Sequence, residues 1–444
     1  MLLWTTAAQL ALRMETMRKA EAGLISLARR FGEKDSIYKM ELFDTQIPAS
    51  VLPFRKASSQ SSSSSIRNFF GIGSNDTDHG VEEEEEEAEK LTMHAIRVTK
   101  EGGVGQRQEH QHQQYPLVIV HGYMNGALYF YRNLASLANY FDSVVSVDLL
   151  GWGLSSRPSF DRLKDDSVET AEAFFVESLE SWRESNKIEK MNLAGHSMGG
   201  YLSVAYCEKY PERVHQLLLL SPAGVPDDPP ENIAERRGKF LTSAPRKLVY
   251  NFFTGLWEAG YTPGSLMRTI LESQGRYLVE GYVRNRLPAI SDPEEQAVLA
   301  EYMYTGSILP GSGEYGLSRL LLPGAIAKQP GLHRIPKLKV KKVSFLYGVK
   351  DWMDVNGGLG VQEICREERL AGNTSAPDIT VYQVPNAGHL LMLENSSAFN
   401  AALMVAAGRD PRTIKNASDL PVGARANAPP VSSSGDSGSV QVTA

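Results

Sequence analysis

The chain has 444 residues, 42% of them hydrophobic, and a formal net charge of −6. This length suits two or three average domains or one enlarged α/β domain. Residues 82–87 are glutamates that equal the whole net charge, so the remainder is close to neutral, which argues against a nucleic-acid partner. No run approaches the roughly 18 to 20 apolar residues of a membrane-spanning helix. Cys207 and Cys365 lack metal-ligand spacing and are expected to be free thiols in a reducing compartment.

Residues 1–57 are predicted to form an amphipathic helix followed by a first strand region. The apolar face of that helix contains Leu10, Met14, Met17, Leu24, Ala28 and Phe31. Basic side chains lie largely off this face: Arg13, Arg18, Lys19, Arg29 and Arg30. Three interpretations remain open, namely a helix packed on its own domain, a membrane-surface helix and a mitochondrial presequence. Glu15 and Glu21 count against the presequence, because such peptides are poor in acidic residues.

Low-complexity stretches interrupt residues 58–114. A serine-rich linker at 58–65 and the glutamate run at 82–87 favour solvated chain over a packed core. The tract 106–114 contains His110 and His112 among glutamines, and we interpret it as a solvated loop and not as a metal site. Residues 410–444, rich in Pro, Ser, Gly and Ala, are predicted to be a disordered tail.

Short apolar runs alternate with helical patterns in the rest of the chain. Strands are predicted at 117–120, 143–147, 191–194, 216–220, 343–347 and 379–384, and helices include 127–140 and 168–185. This alternation predicts an α/β fold with a mostly parallel sheet and helices on both faces. The core is then divided between residues 115–224 and 337–409.

Residues 225–336 offer no good strand and are predicted to form a helical lid, inserted after the sixth strand, above the carboxyl ends of the strands. The lid carries aromatic residues that suit an acyl chain: Tyr250, Phe252, Phe253, Trp257 and Tyr261. It also carries cations that either meet a phosphate head group or form a solvated face: Arg236, Arg237, Lys239, Arg246 and Lys247.

Residues 195–200 read Gly-His-Ser-Met-Gly-Gly between a predicted strand and a predicted helix. Gly-x-Ser-x-Gly in this context indicates a nucleophile elbow, in which the serine occupies a strained turn and exposes its hydroxyl above the sheet. Ser197 is therefore the candidate nucleophile. A serine nucleophile also needs a base and an orienting carboxylate.

The other candidate residues follow the ends of later strands. His389 is the candidate base, and Asp351 is preferred as the acid, with Asp354 as the alternative. The backbone N–H groups of Tyr123 and Met198 are the expected oxyanion hole. His121 and His196 are interpreted as hydrogen-bonding residues that shape the loops and not as proton-transfer groups, and residues 148–158 are expected to line the pocket.

With these motifs, residues 20–409 resemble the α/β-hydrolase-domain four/five family. The resemblance rests on Leu150-Gly151-Trp152-Gly153, Ser155-Ser156-Arg157-Pro158, residues 177–182, 195–201, 209–214, 221–224 and 387–389, and lid residues 256–258, 262–263 and 312–314. That family includes lysophospholipases, lysophospholipid acyltransferases, a lipase co-activator without the serine, and fungal cardiolipin deacylases.

The resemblance implies a serine hydrolase acting on acyl esters of (phospho)lipids through Ser197, an acid and His389, and it leaves lysophospholipid acyltransferase activity open. A non-catalytic lipid-surface scaffold or lipase co-activator is the alternative. No cofactor and no metal are expected, and the expected partner is a membrane or lipid-droplet surface, in the mitochondrion or the cytoplasm. Family members carry a His-x-x-x-x-Asp motif, whereas here Glu394 follows His389 and is expected to cap or orient the next helix.

Overall fold

The computed structural model describes residues 6–34, 36–55, 89–101, 115–227, 255, 261–269 and 272–409. Within these residues, eight strands form one sheet, in the order β1-β2-β4-β3-β5-β6-β9-β10. The strands of this sheet are β1 (Tyr38–Pro48), β2 (Lys90–Lys100), β3 (Leu117–Val120), β4 (Val144–Val147), β5 (Met191–His196), β6 (Val214–Leu220), β9 (Lys342–Gly348) and β10 (Asp378–Val384). A two-stranded hairpin is formed by β7 (Leu321–Leu322) and β8 (Ile326–Ala327).

Strand β2 pairs antiparallel with β1 and with β4, and the neighbours from β4 to β10 are parallel. Strands β3 to β5 are buried along their whole length, because helices cover both faces of the sheet. This is the predicted α/β-hydrolase architecture. The carboxyl ends of β5, β6, β9 and β10 lie side by side, so the loops that follow them share one edge.

The helices of the described chain pack on both sides of the sheet and above its carboxyl edge. They are α1 (Ala7–Ala28), α2 (Tyr131–Leu137), α3 (Val168–Ser185), α4 (Met198–Lys209), α5 (Pro263–Thr269), α6 (Glu272–Arg286), α7 (Pro293–Ile308), α8 (Gly316–Leu320), α9 (Gly331–Arg334), α10 (Val355–Leu370), α11 (Leu391–Glu394) and α12 (Ser396–Ala406). None of these helices combines the length and the apolar content that crossing a bilayer requires.

Helix α1 packs on its own chain, which matches the first of the three interpretations of this segment. Met17 and Leu24, on the predicted apolar face, are buried. Gly23 allows close contact with α7, because a Cβ atom there would lie 2.8 Å from Val298 Cγ1. Arg13 donates a 2.7 Å hydrogen bond to the carbonyl oxygen of Ile308 at the end of α7. The helix therefore contacts the insertion that follows β6.

Helices α5 to α7 lie between the sixth strand and β9, where the lid is predicted. Two features of the strands were not predicted. The stretch 225–336 contains the short hairpin β7–β8, and β2 lies within the segment 58–114 that low-complexity stretches interrupt. Six of the eight strands of the main sheet coincide with predicted runs, and β1 falls within the predicted first strand region.

Several predicted features fall outside the described residues. They are the serine linker, the glutamate run, the Gln/His tract, the basic residues 236–247, the aromatic residues 250–257 and the tail 410–444.

Candidate active site

Ser197 occupies the sharp turn between β5 and α4, with φ 55° and ψ −119°. A non-glycine residue adopts such angles only where the surrounding structure fixes them. Here the turn is enclosed so closely that a Cβ atom on Gly195 would collide with the carbonyl oxygen of Gly199. The predicted elbow geometry is therefore present, and α4 begins directly after the serine.

The structure brings His389 and Asp351 to Ser197. His389 Nε2 lies 3.0 Å from Ser197 Oγ, and His389 Nδ1 lies 3.2 Å from Asp351 Oδ1. With the imidazole protonated at Nδ1, the ring donates to Asp351 and accepts from the serine hydroxyl. The loops after β5, β9 and β10 thus form a linear hydrogen-bonded series of hydroxyl, imidazole and carboxylate.

Asp351 has the environment of an ionised, orienting carboxylate. Burial raises its pKa, but the hydrogen bond and the electrostatic interaction with His389 outweigh burial, so that the pKa lies below the usual 3.8. The Asp351 side chain is 1% exposed, and Asp351 Oδ1 also accepts a 3.0 Å hydrogen bond from Met353 N. The indole of Trp352 packs against the imidazole of His389, with the ring centroids 5.0 Å apart and the ring planes tilted by 53°.

Asp354 has a different local role. Its Oδ1 accepts a 2.9 Å hydrogen bond from Asn356 N, which makes it the N-cap of α10. An N-cap carboxylate satisfies a free N–H of the first helical turn and is stabilised by the helix dipole. The carboxylate that contacts His389 is that of Asp351.

The loop after β3 passes close to the serine. A Cβ atom on Gly122 would lie 3.0 Å from Ser197 Cβ and 2.9 Å from His196 Nδ1, so only glycine permits this approach. Tyr123 follows this glycine, and Met198 is the first residue of α4. Within the described turns and loops, neither backbone N–H donates to a protein acceptor, so both are free to bind a developing oxyanion.

Two further histidines form hydrogen bonds that hold the loops around Ser197 and His389. His121 Nδ1 donates to Gly122 O at 2.8 Å, and its Nε2 accepts from Leu149 N at 3.0 Å. His196 Nε2 donates to the carbonyl oxygen of His389 at 2.9 Å. Burial lowers the pKa of both imidazoles, to about 3 for His196. Both rings are therefore neutral hydrogen-bonding groups, as the sequence predicts.

Glu394 does not cap α12, so the capping part of that expectation was wrong. Asn395 is the N-cap of α12, because its side chain accepts from Ala398 N. Glu394 instead accepts from the backbone N–H groups on both sides of His389, at 2.7 Å from Gly388 and at 3.1 Å from Leu390. The preceding helix α11 ends at Glu394 and turns its carboxylate back toward the histidine loop.

A cavity of about 920 Å³ opens beside Ser197 and His389. Lid residues provide most of its apolar wall: Pro263, Met267, Leu278, Val279, Leu287 and Met303. Several of its lining residues are partly exposed and mark its mouth, including Tyr282 at 41% and Trp352 at 62%. Arg286 and Lys350 are exposed cations on the same lining. The volume is in the range of pockets that enclose a small organic ligand.

Residues 148–158 do not line this cavity in the described structure, contrary to expectation. Asp148 instead holds two loops together, since its carboxylate accepts from Ala127 N at 2.6 Å and from Leu154 N at 2.8 Å. Trp152 packs edge-on against Tyr123, with centroids 5.1 Å apart. The segment therefore supports the oxyanion loop from behind.

Residues 115–396 match the family model described as alpha/beta hydrolase fold. The chain is 34% identical over 292 residues to a probable 1-acylglycerol-3-phosphate O-acyltransferase of Oryza sativa subsp. japonica, covering 65% of this chain and 66% of the relative. It is 31% identical over 294 residues to the 1-acylglycerol-3-phosphate O-acyltransferase ABHD5 of Rattus norvegicus, covering 64% of this chain and 75% of the relative. A (lyso)-N-acylphosphatidylethanolamine lipase of Bos taurus is 31% identical over 291 residues, which are 65% of this chain and 78% of that protein.

The match spans just under two thirds of the rice relative's own length. Three observations agree with the family resemblance of the sequence motifs. They are the extent of the family match, the relatives found, and the mostly parallel sheet with an insertion after the sixth strand. The chain belongs to the α/β hydrolase fold family, and within it to the group that contains the ABHD5 acyltransferases.

Proposed function

We propose that this protein is a serine hydrolase that cleaves acyl esters of phospholipids or lysophospholipids. The observation that carries the proposal is the hydrogen-bonded series from Ser197 through His389 to Asp351 beside an apolar cavity. A serine hydroxyl is a weak nucleophile until a neighbouring base removes its proton, and this arrangement supplies that base.

In the proposed reaction, Ser197 Oγ attacks the ester carbonyl while His389 Nε2 takes the hydroxyl proton. Asp351 holds the ring in the tautomer with Nδ1 protonated and stabilises the imidazolium that forms. The N–H groups of Tyr123 and Met198 bind the oxyanion of the tetrahedral intermediate. His389 then protonates the leaving alcohol, and a water activated by the same ring releases the fatty acid from the acyl-enzyme.

The lid side of the cavity favours a lipid acyl chain over a small polar ester. Leu278, Val279 and Met303 contribute apolar wall within the same cavity as the serine. Transfer of acyl methylenes from water to an apolar lining favours binding by about 0.8 kcal/mol for each buried methylene. An acyl chain of several carbons is therefore retained more strongly than an acetyl group.

The mouth of the cavity favours approach from a lipid surface. Trp352 and Tyr282 are exposed there, beside the cations Arg286 and Lys350. Aromatic side chains settle at the boundary between head groups and acyl chains, and cations attract anionic head groups. We therefore propose peripheral association with a membrane or lipid-droplet surface. Trp352→Ala should weaken sedimentation with phosphatidylserine-containing vesicles several-fold. Leu370→Ala is the control, because it removes an exposed apolar side chain that does not line this cavity.

A fluorophosphonate probe tests the nucleophile, because it reacts with an activated serine. Wild type should be labelled and Ser197→Ala should not. Ser307→Ala is the matched control, since Ser307 lines the same cavity while its hydroxyl bonds to Tyr304 O. Equal labelling of wild type and Ser197→Ala contradicts the proposal.

Acyl transfer is the second candidate activity, because the rice and rat relatives carry acyltransferase names. In that reaction a lysophospholipid hydroxyl replaces water at the acyl-enzyme. Incubation with phosphatidylcholine and labelled lysophosphatidic acid separates the two. Labelled phosphatidic acid supports transfer, whereas free fatty acid without labelled diacyl product supports hydrolysis alone.

A non-catalytic lipid-surface scaffold or lipase co-activator is the alternative from a different class. It predicts that the wild type neither reacts with the probe nor turns over any acyl ester. The close contact of His389 with Ser197 favours the enzyme, because a scaffold has no need of an aligned base.

A further inference from the structure

Glu21, His94 and Asp148 form a buried cluster outside the proposed active site. Glu21 comes from α1, His94 from β2 and Asp148 from the loop after β4. One potential ligand atom from each lies within 4.8 Å of the other two. Glu21 is 0% exposed and His94 is 6% exposed. Three elements that are distant in sequence thus direct two carboxylates and an imidazole at one point.

Three polar atoms at this point lack a hydrogen bond from the described residues. Neither carboxylate oxygen of Glu21 makes a hydrogen bond within the described residues, and neither does His94 Nε2. A buried carboxylate without a partner costs several kcal/mol, so such groups normally hold a cation or a proton.

The separation of Glu21 and His94 is that of an ion pair, and it is also the separation expected of two ligands on one ion. His94 Nε2 lies 3.3 Å from Glu21 Oε2, without the alignment of a hydrogen bond. Two ligands of a tetrahedral zinc ion, each bonded at about 2.1 Å, lie about 3.4 Å apart. Asp148 already accepts two backbone N–H groups, but each of its oxygens keeps a second lone pair.

The other nitrogen of the imidazole is held as in many metal sites. His94 Nδ1 lies 2.5 Å from Asp44 Oδ1, the cross-strand neighbour on β1. A metal-bound histidine commonly donates its second N–H to a carboxylate, which fixes the tautomer and leaves the ligating nitrogen free. Asp44 fits this supporting position.

From these observations we propose that Glu21, His94 Nε2 and Asp148 bind one divalent transition-metal ion of the zinc type, supported by Asp44. One imidazole and two carboxylates suit Zn²⁺ or Mn²⁺, and the two carboxylates balance the charge of the ion. The ion joins α1 to the sheet. It also fixes Asp148, which holds Ala127 in the segment after the oxyanion loop. Its role is structural, and it takes no part in the proposed ester chemistry.

Metal content after reconstitution tests this site directly. The full chain, free of affinity tags, is incubated with Zn²⁺ at pH 7.5 and desalted, and zinc is then counted by mass spectrometry. Every protein carries His110→Gln and His112→Gln, so that the Gln/His tract at 106–114 does not contribute to the zinc count. We expect one zinc ion per chain, lost in Glu21→Gln and in His94→Gln. Asp44→Asn should weaken binding by about 10- to 100-fold.

Exposed residues provide matched controls. Glu15→Gln changes an exposed carboxylate on the same helix, and His333→Gln changes an exposed imidazole, so both should retain one zinc ion. Zinc at about 100 times its dissociation constant should raise the Tm of the wild type by on the order of 5 °C, and a chelator should reverse the rise.

The proposal fails if the wild type retains no more zinc than Glu21→Gln and shows no rise in Tm. In that case His94 carries a second proton in place of the metal. Burial lowers the pKa of His94, but the carboxylates of Glu21, Asp148 and Asp44 raise it to about 9. If a variant does not fold, titration of the wild type decides alone, because the absence of a saturable binding event contradicts the proposal. None of these measurements depends on ester hydrolysis.

Discussion

Replacement of Glu394 by alanine tests how the candidate base is held. The Glu394 carboxylate is the acceptor for the backbone N–H groups of Gly388 and Leu390, which flank His389. Alanine removes both acceptors and leaves the rest of the residues in contact with His389 unchanged. The loop then relies on the 2.9 Å hydrogen bond from His196 to the carbonyl oxygen of His389.

The magnitude follows from these two contacts. Each hydrogen bond to a charged group contributes about 1.5 to 3 kcal/mol, and two are lost. Water from the adjacent cavity can hydrogen-bond the two freed N–H groups and recover part of this free energy, so we expect a stability loss of about 2 to 3 kcal/mol. A displacement of about 1 Å in a reacting group costs roughly 100-fold in rate. We therefore expect Glu394→Ala to lower kcat about 30- to 100-fold with little change in KM. Glu394→Gln keeps one acceptor oxygen and should lose about 5- to 10-fold.

The assay is hydrolysis of a short p-nitrophenyl ester, together with the rate of fluorophosphonate labelling, at a temperature well below the Tm of each variant. Glu363→Ala is the control, because Glu363 lies on the surface and pairs only with Arg366 among the described residues. If Glu394→Ala keeps more than half of the wild-type kcat, the positioning argument is wrong. A rise in KM at unchanged kcat assigns Glu394 to substrate binding instead.

Three further predictions concern the acids, the buried imidazole and the ion pair beneath the lid. Asp351→Asn should lower kcat about 10⁴-fold. Asp354→Ala should keep kcat within twofold and lower the free energy of unfolding by about 1 kcal/mol, because it removes the N-cap of α10. Steady-state kinetics and urea unfolding measure these effects, and equal effects of the two variants on kcat contradict the assignment. Because burial lowers the pKa of His196 to about 3, the unfolded chain binds more protons between pH 3 and 6.5 and stability falls as the pH falls. His196→Gln should reduce that loss between pH 7.5 and 4.5 by about 3 kcal/mol in urea unfolding, and an unchanged pH profile refutes the prediction. Glu295→Ala should cost about 3 to 5 kcal/mol, because it leaves the buried Arg132 without its 2.7 Å partner, and a loss below about 1 kcal/mol shows that the pair contributes little.

The order of the candidate nucleophile, acid and base along the chain can be read from the sequence. A nucleophile elbow requires small residues around Ser197, and the acid and the base must follow later strands, so the motif, the strand ends and their order predict the arrangement before any contact is known. The apolar runs are equally readable, because a strand buried on both faces must be apolar along its length. For this reason the sheet, the insertion after its sixth strand and the residues around Ser197 agree with prediction.

The distinction between Asp351 and Asp354 required the tertiary structure. The two carboxylates are three residues apart and chemically equivalent, and only the path of the chain after β9 directs one at His389 and the other at a helix N-terminus. Glu394 is similar, because its partners are backbone N–H groups that have no signature in a sequence.

Long-range clusters are the least visible in sequence. Glu21, His94 and Asp148 meet because the fold brings α1, β2 and the loop after β4 together, and no local pattern records a contact over such separations. Local signals arise where neighbouring residues share one physical constraint, as in the elbow at Ser197. Contacts between distant elements depend on how the helices and the sheet pack, and packing is decided only when the whole chain has folded.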